Sequence, residues 1–125
     1  MSDIPLLVEI LSQTLSCIAR IERRFQGIDC PEDFLADNEG IDRLDGIGMM
    51  LISIGENLKK FEASGGRLFL DKHPEIDWKG VKGIRDFLSH HYFDLDVEVV
   101  FETCKSRIEP LKQALGSIRS ELLNL

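Results

Sequence analysis

Seven apolar side chains between residues 39 and 64 recur at steps of three and four: Ile41, Leu44, Ile47, Leu51, Ile54, Leu58 and Phe61. A repeat of that period and length is one face of a long helix, and its heptad-like spacing suits antiparallel packing against other helices. Gly46, Gly48 and Gly55 interrupt the segment. Each costs about 1 kcal/mol of helix propensity relative to alanine, so they are expected where another backbone comes close. Gly65-Gly66 is predicted to stop the helix.

The rest of the chain repeats the pattern. Leu7, Leu11, Thr14, Ile18, Ile21 and Phe25 predict a helix over residues 4–25, with Asp3 as N-cap and Pro5 in the first turn. Arg20, Arg23 and Arg24 suit the negative end of that helix dipole. After Gly27, Asp29 or Cys30 leads into a short helix opened by Pro31, with Phe34 and Leu35 expected to anchor it. Residues 67–76 read as a connector with a single turn at Leu68-Phe69-Leu70. Asp77 is the expected cap of a helix over residues 78–92, with Val81, Ile84, Phe87, Leu88 and His91 on its inner face. Asp94 or Asp96 caps the last helix, whose stripe runs from Val97 through Cys104 to Leu122. Pro110 is predicted to kink it near Ser106. No strand pattern is present. The expectation is an all-α, up-and-down bundle of four main helices and one short one, with residues 1–125 as a single domain.

Charge and cysteine usage narrow the function classes. The net charge is −7, which argues against a broad nucleic-acid footprint and leaves room for a small local one. Cys17, Cys30 and Cys104 are odd in number and form no CxxC pair, so neither a disulfide framework nor a zinc site is expected. The first residues, Met-Ser-Asp-Ile-Pro, lack the basic start of a signal peptide, and no uninterrupted apolar run has the length of a bilayer span. A cytoplasmic protein without membrane attachment is expected.

Chemistry concentrates in Ile84-Arg85-Asp86-Phe87-Leu88-Ser89-His90-His91-Tyr92-Phe93. Histidine titrates near neutrality and is the usual general acid or base. Arginine offers a fixed positive fork for phosphoryl oxygens. On a continuous helix Asp86 and His90 are four apart and can touch. Arg85 and His90 would stand about 140° apart, flanking a ridge rather than closing a pocket. Two copies facing each other would close one. His91 fits the core stripe better than His90. Lys79, Lys82 and Arg85 add a positive strip to an acidic chain. In the structural alternative, the histidines meet a helix C-terminus and Arg85 pairs with an acid on a neighbouring helix. A metal site built from His90, His91, Asp94 and Asp96 lacks any recognised ligand spacing.

Pro74-Glu75-Ile76-Asp77-Trp78, the run from Gly83 to Phe93, and Ile54-Gly55-Glu56 upstream together resemble the HepT-like branch of the HEPN superfamily. The signature is Arg, four residues, His, any residue, Tyr: Arg85, His90 and Tyr92. The resemblance extends over essentially the whole chain, with Val97 to Leu111 matching the last helix. Asp86 stands where this branch usually has Asn. It keeps a hydrogen-bond partner for His90 and adds negative charge beside a phosphate.

The resemblance implies an α-helical homodimer acting as a ribonuclease without a metal or other cofactor. It also implies the toxin half of a toxin–antitoxin pair whose partner is a minimal nucleotidyltransferase, with the two proteins able to form a larger hetero-oligomer. Arg85 and His90 of both subunits would meet in one cleft. Asp86 or Ser89 would orient the imidazole, and Lys79 and Lys82 would hold RNA. Tyr92 would be the residue adenylylated by the antitoxin. DNA, lacking a 2′-hydroxyl, would not be cut. The alternative is a non-catalytic dimer that binds a nucleotide or RNA end, or scaffolds the transferase.

Overall fold

The structure, a computed structural model, describes residues 3–88 and 94–125. Helix α1 spans Ile4–Phe25, and Asp3 caps it by accepting a hydrogen bond from the Leu6 amide. A 3-10 turn, Pro31–Leu35, follows. Helix α2 spans Asn38–Phe61. A wide turn, Glu62–Gly66, leads into α3, Arg67–Asp71. Helices α4, Trp78–Lys82, and α5, Arg85–Leu88, carry the Arg85 segment. Helix α6, Val97–Glu102, passes through a wide turn, Thr103–Arg107, into α7, Ile108–Leu123. The all-α expectation holds among the described residues.

The stripes meet in one core. Leu11, Ile18 and Ile21 of α1, Ile47, Ile54 and Leu58 of α2, and Leu115 and Ile118 of α7 are essentially inaccessible to water. Burying each such side chain contributes about 1.5–3 kcal/mol before the entropy of ordering is subtracted. By length and composition α1 could also cross a membrane. Its buried residues, however, recur on one face and pack against the other helices, as in the core helix of a bundle. Thr14 lies in that face without an orphaned polar atom: its hydroxyl donates to the Ile10 carbonyl and accepts from the Asn57 amide.

The element ends follow local chemistry. The amides of Asp29 and Cys30 donate to Asp33 Oδ2, holding the Asp33 carboxyl below its ordinary range and closing the first turn after Cys30. Asp77 caps α4 through the Gly80 amide, and Asp96 caps α6 through Glu98 and Val99. Gly65 breaks the helical path with φ +98°, a value that favours glycine. The chain then resumes helix immediately as α3, so the single turn expected at 68–70 is longer. Pro110 lacks an amide hydrogen, and the helix opens into the wide turn at Thr103–Arg107, as its ring clash with the preceding turn requires.

Three expectations are corrected. The helix expected over 78–92 is not continuous: α4 ends at Lys82 and α5 begins at Arg85. Gly80 and Gly83 weaken helix there, and Gly83 turns the chain. Of the predicted inner face only Leu88 is buried among the described residues; Val81 and Ile84 are half-buried, and Phe87 is 63% exposed. Leu35 and Ile41 are exposed rather than anchoring. Phe34 fills the site under the 3-10 turn instead, and the buried Gly40 passes against the Asp33 and Phe34 carbonyls.

Burial pushes the Cys104 thiol up to about 12. Thiolate, the reactive form, is therefore scarce at this position. Iodoacetamide at pH 8 is expected to leave Cys104 unmodified in the native protein and to label it in guanidinium, as read by peptide mass spectrometry.

Candidate active site

Glycine at position 55 lets the Arg85 segment approach α2. A Cβ there would lie 2.8 Å from the Val81 carbonyl oxygen and 3.3 Å from that of Lys82. The C-terminal end of α4 thus lies directly on the α2 backbone. On either side, Ile54 is buried in the core and Glu56 faces outward toward Arg85. The Ile-Gly-Glu triplet therefore performs three physical tasks in sequence: anchoring, close approach and charge placement.

Arg85 opens α5. Its side chain is 68% exposed, and Nη2 lies 4.0 Å from Glu56 Oε1. That is a loose ion pair at a wet surface, worth little to stability, and it leaves the guanidinium fork available. Asp86 is exposed beside it. Ser89, His90, His91, Tyr92 and Phe93 lie outside the described residues. So does the predicted Asp86–His90 contact. On either side of them, the Asp96 amide donates to the Leu88 carbonyl at 2.6 Å, which joins the start of α6 to the end of α5.

The segment 78–88 has two unlike sides. Val81, Ile84 and Phe87 line an apolar groove of about 550 Å³ shared with α6 and α7, and carboxylates such as Glu75, Asp77 and Glu102 stand around it. Lys79, Lys82 and Gly83 line a second cavity, of about 500 Å³, together with Lys59, Glu62 and Arg67. Lys82 Nζ lies 2.5 Å from Glu62 Oε2, so its charge is largely matched. Lys79 has no ion pair among the described residues. The sequence places Lys79 and Lys82 on one positive strip but does not indicate that Lys59 and Arg67 lie beside them. Those two come near only because the chain turns back at Gly65, a reversal that helix periodicity does not encode.

His73 lies 3.2 Å from Glu75 and accepts the Trp78 indole hydrogen bond through its carbonyl. It shapes the entry to α4 and stands apart from Arg85 in sequence and surroundings.

The family model for HepT-like ribonucleases matches residues 14–118. The chain belongs to the HepT-like ribonuclease family. It is 32% identical over 112 residues to a Thermococcus cleftensis protein named "Probable ribonuclease HepT", covering 90% of this chain and 92% of that one. It is 36% identical over 69 residues to a Methanocaldococcus jannaschii protein named "Putative RNase MJ0125", covering 55% and 56% of the two chains. A protein of Caldanaerobacter subterraneus subsp. tengcongensis, "Putative RNase TTE0752", is 32% identical over 65 residues, covering 52% and 54%. No solved structure matches. Gly55, Glu56, segment 78–88 and Arg85 all lie within the matched range.

Proposed function

We propose that this HepT-like chain is a metal-independent endoribonuclease, the toxin of a toxin–antitoxin pair. The observation that carries this reading is electrostatic: in a chain of net charge −7, an available Arg85 stands at the end of a segment whose lysines line a basic cavity. A phosphodiester is the substrate class for such a surface.

Mechanistically, RNA brings its own nucleophile. His90 takes the proton of a 2′-hydroxyl, whose oxygen attacks the adjacent phosphorus. His90 of the partner subunit, protonated, donates to the departing 5′-oxygen. Arg85 stabilises the negative charge gathered on the non-bridging oxygens. The products are a 2′,3′-cyclic phosphate and a 5′-hydroxyl. Asp86 or Ser89 orients the imidazole, and Lys79 and Lys82 hold RNA. Homodimerisation brings two such surfaces together, and the exposed Phe87 beside Arg85 is an apolar side chain that a second copy would cover. The antitoxin, a minimal nucleotidyltransferase, silences the cleft by adenylylating Tyr92 and can join the dimer in a larger complex. The site of action is the cytoplasm.

A second reading, a dimer that binds RNA or a nucleotide end, or scaffolds the transferase, without cutting, is favoured by the two carboxylates, Glu56 and Asp86, at Arg85. Substrate chemistry separates the two. A single 2′-deoxy substitution at a mapped cleavage position is expected to abolish cutting there, and the unmodified product is expected to carry a cyclic phosphate, seen as the loss of one water by mass spectrometry. Cutting that survives the substitution contradicts the mechanism, and the complete absence of cutting favours the binding module.

A further inference from the structure

We infer that the basic cavity between the end of α2 and α4 is a phosphate subsite that holds the RNA strand beside the scissile linkage, with Lys59 and Arg67 as binding residues alongside Lys79 and Lys82. The inference rests on the ribonuclease reading and adds to it a path for the strand.

Three observations support it. First, among the described residues the cavity, about 500 Å³, is lined by four cations and one carboxylate, with Ala63 and Gly83 besides. Small residues at those two places leave the cationic heads facing open space. Second, the cations are held weakly by their own acids. Lys59 Nζ is 3.5 Å from Glu56 Oε1, and Arg67 Nε is 4.0 Å from Asp71 Oδ2, both at exposed positions. Among the described residues, Lys82 alone of the four has a close partner, Glu62. Exposed pairs at such distances exchange readily for a stronger anion.

Third, the cavity lies close to Arg85. The same Glu56 oxygen lies 3.5 Å from Lys59 Nζ and 4.0 Å from Arg85 Nη2, so one carboxylate separates the subsite from the proposed catalytic guanidinium. A strand whose scissile phosphate met Arg85 would set a neighbouring phosphate over Lys59. The other face of the segment, the acid-flanked apolar groove, would repel the strand. The direction of the strand is thus set by charge: along α4 toward Arg67 and away from α6. Lys59 also suits the negative end of the α2 dipole, but that role accounts for neither Arg67 nor Lys79, which belong to other elements.

The test uses a fluorescein-labelled, fully 2′-O-methylated RNA oligonucleotide, which can bind but offers no 2′-hydroxyl to attack. Its anisotropy is titrated with the parent protein, the Lys59→Ala/Arg67→Ala double variant, and an Arg23→Ala/Lys105→Ala control carrying the same charge change elsewhere. Circular dichroism verifies that each is folded. The subsite variant is expected to bind about 10-fold more weakly near physiological salt. Its slope of log K against log salt should fall by about 0.7 for each lost phosphate contact, while the control stays within twofold of the parent. Equal binding and equal slope for the parent and the subsite variant overturn the inference, as does failure of the parent to bind. Cleavage of the unmodified RNA is scored separately. Salt-sensitive binding through Lys59 and Arg67 without cleavage supports the subsite and removes the ribonuclease reading. Cleavage with unaltered binding in the variant does the reverse.

Discussion

Gly55→Val is expected to lower the melting temperature by about 10 °C and to weaken any activity that depends on Arg85. The cause is a backbone contact. A Cβ at position 55 would meet the Val81 carbonyl oxygen at 2.8 Å, with the Lys82 carbonyl and Ile84 close behind. Neither carbonyl can rotate away as a flexible side chain would, so α4 must move. Overpacking of this kind costs about 1–3 kcal/mol, and about 2–3 kcal/mol translates to roughly 10 °C for a chain of this size. Valine adds a small helix-propensity penalty. Moving α4 also shifts the Lys79, Lys82 and Arg85 side chains away from Glu56 and Glu62. The comparison that isolates the effect is Gly116→Ala, in α7, where nothing lies within 4 Å of the added Cβ. There the helix-propensity gain of about 1 kcal/mol is unopposed, and the melting temperature is expected to rise by a few degrees. Equal shifts for the two variants in a thermal denaturation series would remove the close-approach role of Gly55.

The second large effect is chemical. Arg85→Ala is expected to lower RNA cleavage by about 10²–10³-fold, as loss of a group that stabilises transition-state charge does. His90→Ala is expected to lower it by about 10²–10⁴-fold, the range for removal of a general acid or base. Arg85 is exposed and its only ion pair among the described residues is loose, so its replacement should leave the melting temperature within about 1–2 °C of the parent. Arg85→Lys keeps the charge and loses the planar fork, and an intermediate rate is expected. If the proton transfers belong to two copies of His90, the rate follows a bell-shaped pH profile around neutrality, because one imidazole must be neutral and the other charged. Single-turnover rates across pH 5–9 check this, and a flat profile would contradict the paired roles.

Much of the fold was legible because helix periodicity is local information. The stripe from Leu44 to Phe61 is the buried face of α2, and α1 spans Ile4–Phe25 as its spacing predicts. The caps at Asp3, Asp77 and Asp96 were legible for the same reason. The structure also resolves the open choice between Asp94 and Asp96 in favour of Asp96. Legibility failed where tertiary contacts override the local pattern. Residues 78–88 carry an apolar periodicity that suggests one helix, yet α4 ends at Gly83 and Phe87 is exposed. Ile41 continues the stripe on paper but lies beyond the reach of the core, and Gly40 takes the close contact.

The site was legible in part. Arg85 and Glu56 are far apart in sequence and meet because Gly55 brings α4 onto α2. Lys59 and Arg67 were not legible as neighbours of Lys79 and Lys82. Their place beside Lys79 depends on the reversal at Gly65 and on packing between α2 and α4. No periodic pattern marks such a meeting.

The most direct test is cleavage of total RNA by the purified, partner-free protein in EDTA, run beside His90→Ala, with the parent verified as dimeric and unmodified at Tyr92. The account predicts that the parent cuts RNA, that chelation leaves the rate unchanged, and that the variant, verified as folded by circular dichroism, loses the activity. No cleavage by such a parent, or equal cleavage by parent and variant, would contradict it.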